Sequence, residues 1–337
     1  MKIIWPMLLG LVLLAAPAAV QAQFTYTTNN GAITLGAYNG SGSAVVISNF
    51  VTSIATNAFE GCSSLTSVTI PAGVTSIGAP AFEGCSRLTA INVNTNNLFY
   101  SSRNGVLFDI TQSTLVEYPA GLAGSYVIPG SVTSLGAVAF YTCTSLTSVT
   151  IPGSVNSIGS GAFFDCPRLT NATMAEGVTS IGLNAFRLCT GLRSITIPGS
   201  VASIGTNAFY NSSLLTSVYF QGNAPAADST VFLFDNGATV YYVAGTTGWS
   251  NTFAGRLAVL WNPVIQTGDG SFGVSNNQFG FNITGTNNFT VVVEACTNLG
   301  NPVWVPLMTN PLVNGRFYFS EPVQTNSSGR FYGLGLP

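Results

Sequence analysis

Histidine is absent from the 337 residues, and lysine occurs once, at Lys2. Without histidine, the usual base that activates a serine or cysteine nucleophile is missing, as is a common zinc ligand. Charge of either sign is scarce. Only 6% of residues are Asp, Glu, Lys or Arg, against roughly 25% in ordinary soluble domains. Eight arginines set against eleven acids cannot build the basic patch that nucleic acid requires. The same shortage excludes attraction to anionic lipid. What is present points to a large core: 47% of residues are hydrophobic, too many for a disordered chain. The polar remainder is mostly Ser, Thr, Asn and Gly, a composition that favours strands and tight turns over helices.

The first 22 residues have the form of a secretory signal peptide. Lys2 supplies the positive start, and Ile3 to Ala16 is apolar but too short for a bilayer span of about 20 residues. Val20-Gln21-Ala22 places small residues before an expected cut between Ala22 and Gln23. The expected location is therefore secreted or cell-surface, with no membrane span left once this segment is removed.

The rest of the chain is dominated by a repeat of 23 residues. Val51-Thr-Ser-Ile-Ala-Thr-Asn-Ala-Phe59-Glu-Gly-Cys62-Ser-Ser-Leu65-Thr-Ser-Val68-Thr-Ile70-Pro71 is the first clear unit, and others start at Val74, Val132, Val155, Val178 and Val201. Apolar positions stay in register: Phe59, Phe82, Phe140, Phe163, Phe186 and Phe209; Leu65, Leu88, Leu146, Leu169, Leu192 and Leu215; Ile54, Ile77, Leu135, Ile158, Ile181 and Ile204. One unit cannot bury such a face alone, whereas stacked units cover one another. Leu65 to Ile70 ends in period-two alternation, so it reads as a strand stopped by Pro71. Val51 to Ile54 reads as a shorter strand, and Ala58-Phe59 with Gly61-Cys62 as a short helical turn. Seven or eight coils at the strand spacing give a solenoid roughly 35–40 Å long.

The pattern Val-Thr-Ser-Ile-Gly-x-x-Ala-Phe-x-x-Cys-x-x-Leu-Thr-Ser-Val-Thr-Ile-Pro, recurring over residues 51–223, resembles the BspA-type leucine-rich repeat of bacterial surface proteins. The resemblance implies a leucine-rich-repeat solenoid, export, and for some members adhesin-like binding of extracellular proteins. The expected fold is mainly β: an N-terminal β cap at 23–50, repeats at 51–223, a C-terminal cap at 224–263, and a small β-sandwich-like domain at 264–337. The interval 97–131 interrupts the repeat. Gly105-Val-Leu-Phe108-Asp and Thr114-Leu-Val-Glu-Tyr118 read as a β-hairpin island within it.

Three features could carry chemistry: a row of cysteines, a lone cysteine and a pair of acids. Cys62, Cys85, Cys143, Cys166 and Cys189 each follow a ladder phenylalanine by three residues, with Ser212 in the sixth unit. Stacked Cβ vectors run parallel, which disfavours disulfides, so these are expected to be buried, inert thiols. Lone Cys296 reads as a buried strand-end residue. Glu60 and Glu83 occupy equivalent positions in adjacent units, the one pairing of acids that a carboxylate-dependent glycan hydrolase could use; solvated turn residues are the simpler reading. No metal or cofactor is expected, and no catalytic residue is assigned.

Binding has the better support. Outward strand positions form two ladders: Ser67, Ala90, Ser148, Asn171, Ser194 and Ser217, with Thr69, Asn92, Thr150, Thr173, Thr196 and Tyr219 beside them. Tyr210, Tyr219 and Arg193 break the small-residue pattern and are of types enriched at binding hot spots. The expected face is thus Ser148, Thr150, Asn171, Thr173, Arg193, Ser194, Thr196, Tyr210, Ser217 and Tyr219, turned toward an extracellular protein or polysaccharide. The alternative is a passive spacer or envelope component whose C-terminal domain makes the specific contact.

Overall fold

In the computed structural model, residues 23–287, 289–323 and 329–337 are described. The expected signal segment lies outside them. The described residues contain strands and turns and no helix, and hence no helix able to cross a membrane.

Each coil contributes two strands to two parallel ladders. The short ladder runs through Ala32–Tyr38, Ser53–Ile54 and Ser76–Ile77, then through Ser134–Leu135, Ser157–Ile158, Ser180–Ile181 and Ser203–Ile204. Its register is one repeat, with Ile54 opposite Ile77 and Ile158 opposite Ile181. The long ladder is in three pieces. Ala44–Val46, Ser67–Ile70 and Ala90–Val93 form one, and Gly124–Val127, Leu146–Ile151 and Asn171–Met174 the next. Ser194–Ile197, Ser217–Phe220, Thr239–Val243 and Arg256–Trp261 form the last, edged by antiparallel Thr252–Phe253. Threonine hydroxyls reinforce the stack: Thr66 donates to the Ser43 carbonyl, Thr89 to Thr66 and Thr170 to Thr147, each 23 residues back.

The third side of each coil is the phenylalanine corner. It is not helical, as the sequence had suggested. It is a run of tight turns through left-handed residues, Asn57 (φ 60°) and Gly61 (φ 70°) in the first unit, and a helix cannot pass through isolated left-handed residues. The corner also bonds coil to coil, since the Phe140, Phe163 and Phe186 amides donate to Ala162, Ala185 and Ala208. The turn between strands has no room for a side chain: a Cβ at Gly177 (φ +119°) would lie 2.1 Å from the Gly153 carbonyl oxygen.

The coils number about nine, more than the seven or eight expected. Both caps are coils in register. Leu35 pairs with Ile54 and Val45 with Val68 at the start, and Val240 pairs with Val218 at the end. The aromatic column accordingly extends past the six phenylalanines. Tyr38 lies 5.5 Å from Phe59 and Phe59 5.0 Å from Phe82. A second column runs Tyr118, Phe140, Phe163, Phe186, Phe209, Phe232 with ring centroids 4.6–5.4 Å apart. Burying each ring is worth roughly 1.5–3 kcal/mol. Trp249 and Phe253, packed on Phe220, plug the far end.

The expected hairpin of Val106–Asp109 with Thr114–Glu117 is present, and a further strand extends it to a three-stranded meander. Tyr100–Arg103 and Val106–Asp109 pair antiparallel, as do Val106–Asp109 and Thr114–Glu117, and Thr114–Glu117 then pairs parallel to Ser134–Leu135. Buried Asn97 fixes its departure: its amide donates to the Pro71 and Val74 carbonyls, and its carbonyl oxygen accepts from the amides of Phe99 and Tyr100.

Beyond the solenoid, two antiparallel sheets face each other. One joins Val264–Ile265, Gln278–Thr284, Gly273–Ser275 and Arg316–Pro322; the other joins Val305–Pro311, Thr290–Cys296 and Phe331–Gly335. Phe281, Ile283, Phe289, Val291, Val293, Leu312 and Phe319 form their core, with Tyr241, Val259 and Trp261 of the last coils packed against it. Cys296 is buried at the end of its strand.

Candidate ligand-binding surface

The long strands bring the two outward ladders side by side. Ser148 pairs with Asn171 and Thr150 with Thr173; Ser194 pairs with Ser217 and Thr196 with Tyr219. Most of these residues are at least partly exposed. Tyr219 is not: it is 2% exposed, which corrects the expectation of an open face reaching that far. Its ring stacks on Tyr241 at 5.1 Å, and Tyr241 meets Phe289 edge-on at 5.0 Å. The two tyrosines serve as the floor on which the C-terminal sheets sit. Burial pushes the phenols of both upward. Thr196 Oγ1 donates to the Pro337 carbonyl at 2.6 Å, so the C-terminal segment also covers part of the next coil. Arg193 stands exposed just before its strand.

Tyr210 requires a second correction. It follows ladder residue Phe209 and so belongs to the corner side, away from the strand face. There it lies 4.1 Å beneath the Arg187 guanidinium. Tyr141, Phe164 and Arg187 occupy the same place in the preceding coils. The sequence carries this row as the residue that follows each ladder phenylalanine, a position outside the strands. Glu60 and Glu83 stand at the head of the same row.

Between Asn171–Met174 and Ser194–Ile197 no strand pairing links the neighbouring coils. A pocket of about 410 Å³ opens at this break. Asn171, Thr173, Ser194 and Thr196 line it from the strand face, with Gln221 at its end and Leu336 and Pro337 closing one wall. Its polar groups are hydroxyls and amides, none of which titrates near neutral pH. Such a lining donates and accepts hydrogen bonds in both directions, which suits sugar hydroxyls or an extended backbone.

The thiols have structural work. Cys85, Cys166 and Cys189 each donate at 3.1 Å to the carbonyl of the ladder phenylalanine one coil back, Phe59, Phe140 and Phe163. Ser212 does the same to Phe186 at 2.8 Å. Burial raises the Cys143 and Cys189 thiols far above their ordinary range, which keeps them as donors. Asp235 takes this seat in the following coil. It is fully buried, neither carboxylate oxygen has a hydrogen-bond partner, and burial pushes its pKa up to about 7.

A second concavity of about 440 Å³ lies in the C-terminal sheets, lined by Phe272, Phe279, Leu299, Trp304, Phe331 and Tyr332 with Arg330 at its side. Arg330 is held by Glu321 at 2.8 Å, and the Tyr332 hydroxyl donates to the same carboxylate at 2.6 Å.

Comparison with known proteins bears on the solenoid. No curated protein matches the chain. Among solved structures, the pneumococcal vaccine antigen PcpA is similar at 18% identity over 60% of this chain and 63% of its own, with a TM-score of 0.52, a likeness of fold. A leucine-rich cell surface protein of Faecalibacterium prausnitzii A2-165 is 19% identical over 66% of this chain and 94% of its own, TM-score 0.48. A leucine-rich repeat protein of Bacteroides capillosus is 32% identical over 36% of this chain and 99% of its own, TM-score 0.33. The family model of the BspA type leucine-rich repeat region matches residues 36–123 and 122–236, in six copies. With its stacked aromatic corners, paired ladders and this match over more than half its length, the chain belongs to the BspA-type leucine-rich repeat family.

Proposed function

We propose that the protein is an exported, cell-surface binding protein without catalytic activity, and that the pocket between Asn171 and Ser194 is its ligand site. The observation that carries this reading is the lining: four residues of the expected face, Asn171, Thr173, Ser194 and Thr196, meet at one concavity of about 410 Å³. That volume is in the range of ligand sites, about 300–1,000 Å³. Its hydroxyl and amide groups favour an uncharged polysaccharide. Membership of a family of bacterial surface proteins supports the location, as does the signal-like start of the chain. A glycan array probed with the protein lacking residues 1–22 tests the site. Binding to a neutral glycan, weakened about tenfold by Asn171→Ala, is expected. No retained glycan, or binding indifferent to Asn171→Ala and Thr173→Val, would end the proposal. The burial of Tyr219 under the C-terminal sheets favours a second reading, a spacer whose strand face is partly taken up by its own module; an array silent for the intact protein is the result that reading requires.

A further inference from the structure

The corner side carries a surface that the pocket does not account for. Tyr141 and Phe164 stack at 4.9 Å, the Arg187 guanidinium lies 5.6 Å from the Phe164 ring and 4.1 Å from Tyr210, and Tyr210 meets Phe234 edge-on at 5.1 Å. Five side chains from consecutive coils thus form one ribbon. All are at least partly exposed, and Phe234 is 53% exposed. The core needs none of these groups, because the ladder phenylalanines beneath already fill it.

Three features define what the ribbon would take. The rings of Tyr141 and Phe164 cover each other's faces, so their edges are what remain outward. Ring edges carry the positive end of the quadrupole, and phenol hydroxyls and a guanidinium add donors. Arg187 is the sole cation in the row, and among the described residues the only ion pair is elsewhere, between Arg330 and Glu321. Its Nε is buried without a hydrogen-bond partner, and the stacking holds the planar fork in one orientation, the condition for two-point recognition of a carboxylate. Beyond it the row turns apolar, with Leu233 37% and Phe234 53% exposed. Phe234 occupies the left-handed corner position (φ 70°) that Thr142, Asp165, Leu188 and Asn211 fill in the preceding coils.

The geometry points to a protein-docking surface, in which Arg187 receives one carboxylate of a partner segment and Tyr210, Leu233 and Phe234 receive the large apolar side chains beside it. A uniformly acidic polymer fits less well. Glu83 and Asp165 lie beside Tyr141, so a carboxylate at every coil step would meet acids as well as the single cation. The inference rests on the solenoid being a binding scaffold and is independent of the pocket.

Panning a random twelve-residue peptide library against the intact protein tests it. Enriched peptides are expected to hold Asp or Glu within a few positions of Trp, Phe or Leu. The most enriched peptide, measured by fluorescence polarisation, should bind about tenfold more weakly to Arg187→Gln and to Phe234→Ser, and equally well to Asn171→Ala. Phe234→Ser alters a half-exposed side chain, so it keeps the test valid if Arg187→Gln fails to fold. No enrichment, enriched peptides lacking acids, or unchanged binding to both variants would overturn the inference. So would polygalacturonate that competes for the ribbon and binds more tightly than any peptide. Glycan binding sensitive to Asn171→Ala alongside a silent ribbon would refute the docking surface alone; loss of both would remove the binding scaffold itself.

Discussion

Replacing Asp235 with Asn is expected to stabilise the protein, and more so as pH rises. In earlier coils this seat holds a thiol or hydroxyl that donates to the carbonyl of the ladder phenylalanine one coil back, as Cys189 does to Phe163 and Ser212 to Phe186. An ionised carboxylate has nothing to donate. Asp235 is fully buried, its oxygens make no close hydrogen bond, and burial raises its pKa from 3.8 to about 7, with the nearby Ser212 backbone amide and Arg256 opposing only in part. Because the folded value is raised, folding carries no penalty below pH 3.8, where both states are protonated. The penalty grows between about 4 and 7 as the unfolded chain ionises first, and is constant above. Three pKa units correspond to about 4 kcal/mol. Asn keeps the shape and gains a donor but still buries an amide, so a gain of about 2–3 kcal/mol at pH 8 and almost none at pH 4 is expected. Urea unfolding of parent and variant at both pH values measures it. An equal difference at the two pH values would refute the buried-acid reasoning. A loss of stability at pH 8 would show that Asp235 and Arg256 act as a stabilising ion pair instead.

Phe163→Ala removes a ring packed between Phe140 at 4.6 Å and Phe186 at 5.0 Å; a loss of about 3–5 kcal/mol is expected by denaturant titration, and a loss under 1 kcal/mol would contradict the column. Asn97→Ala strands the carbonyls of Pro71 and Val74 and the amides of Phe99 and Tyr100, which should cost about 3 kcal/mol and speed hydrogen exchange around residues 97–100. Val138 is a β-branched residue at φ 56°, where Asn184 and Asn207 sit in equivalent coils at 55° and 56°. Val138→Asn should therefore raise stability by about 1 kcal/mol, read as a higher melting temperature.

The 23-residue spacing made the core legible before any coordinates, because solenoid contacts join equivalent positions of neighbouring units. Phe140, Phe163 and Phe186 point inward and touch in order. The same logic reached too few coils, since the terminal coils keep the shape with other residues. Tyr38 replaces Phe at the start, and near the end the short ladder finishes in a single bridge between Ser203 and Ala226. The corner was misread because Ala-Phe beside a glycine suits a helical turn by composition. The telling residues were Asn57 before it and Gly61 after it, both left-handed. The covering of Tyr219 depends on Thr290 beside it and, through Tyr241, on Phe289, residues outside the repeat that the spacing of the units does not name. The aromatic ladder turning from Thr196 to Tyr219 to Tyr241 was a hint of such a partner, since outward strand positions that become large and apolar ask to be covered.

The island shows how a solenoid can tolerate an interruption of its period. Val106, Leu107 and Phe108 are consecutive and all buried. Alternate strand residues point to opposite sides, and here both sides are core: Leu107 belongs to the cluster of the earlier coils, Val106 and Phe108 to that of the later ones. The strand is therefore a partition as well as an edge. The aromatic column stops at Phe82 on one side of it and begins again with Tyr118, 4.8 Å from Phe140, on the other. Both columns open with a tyrosine that a further ring covers, Tyr38 by Phe24 at 5.0 Å and Tyr118 by Tyr126 at 4.8 Å, and the Tyr38 hydroxyl also takes a hydrogen bond from the Gly42 amide. Glu117, in the strand that begins the second column, is fully buried near Cys85 and Cys143, and its pKa is pushed up to about 8 by that burial. The chain is thus better described as two stacked arrays that share a wall than as one array with an insertion.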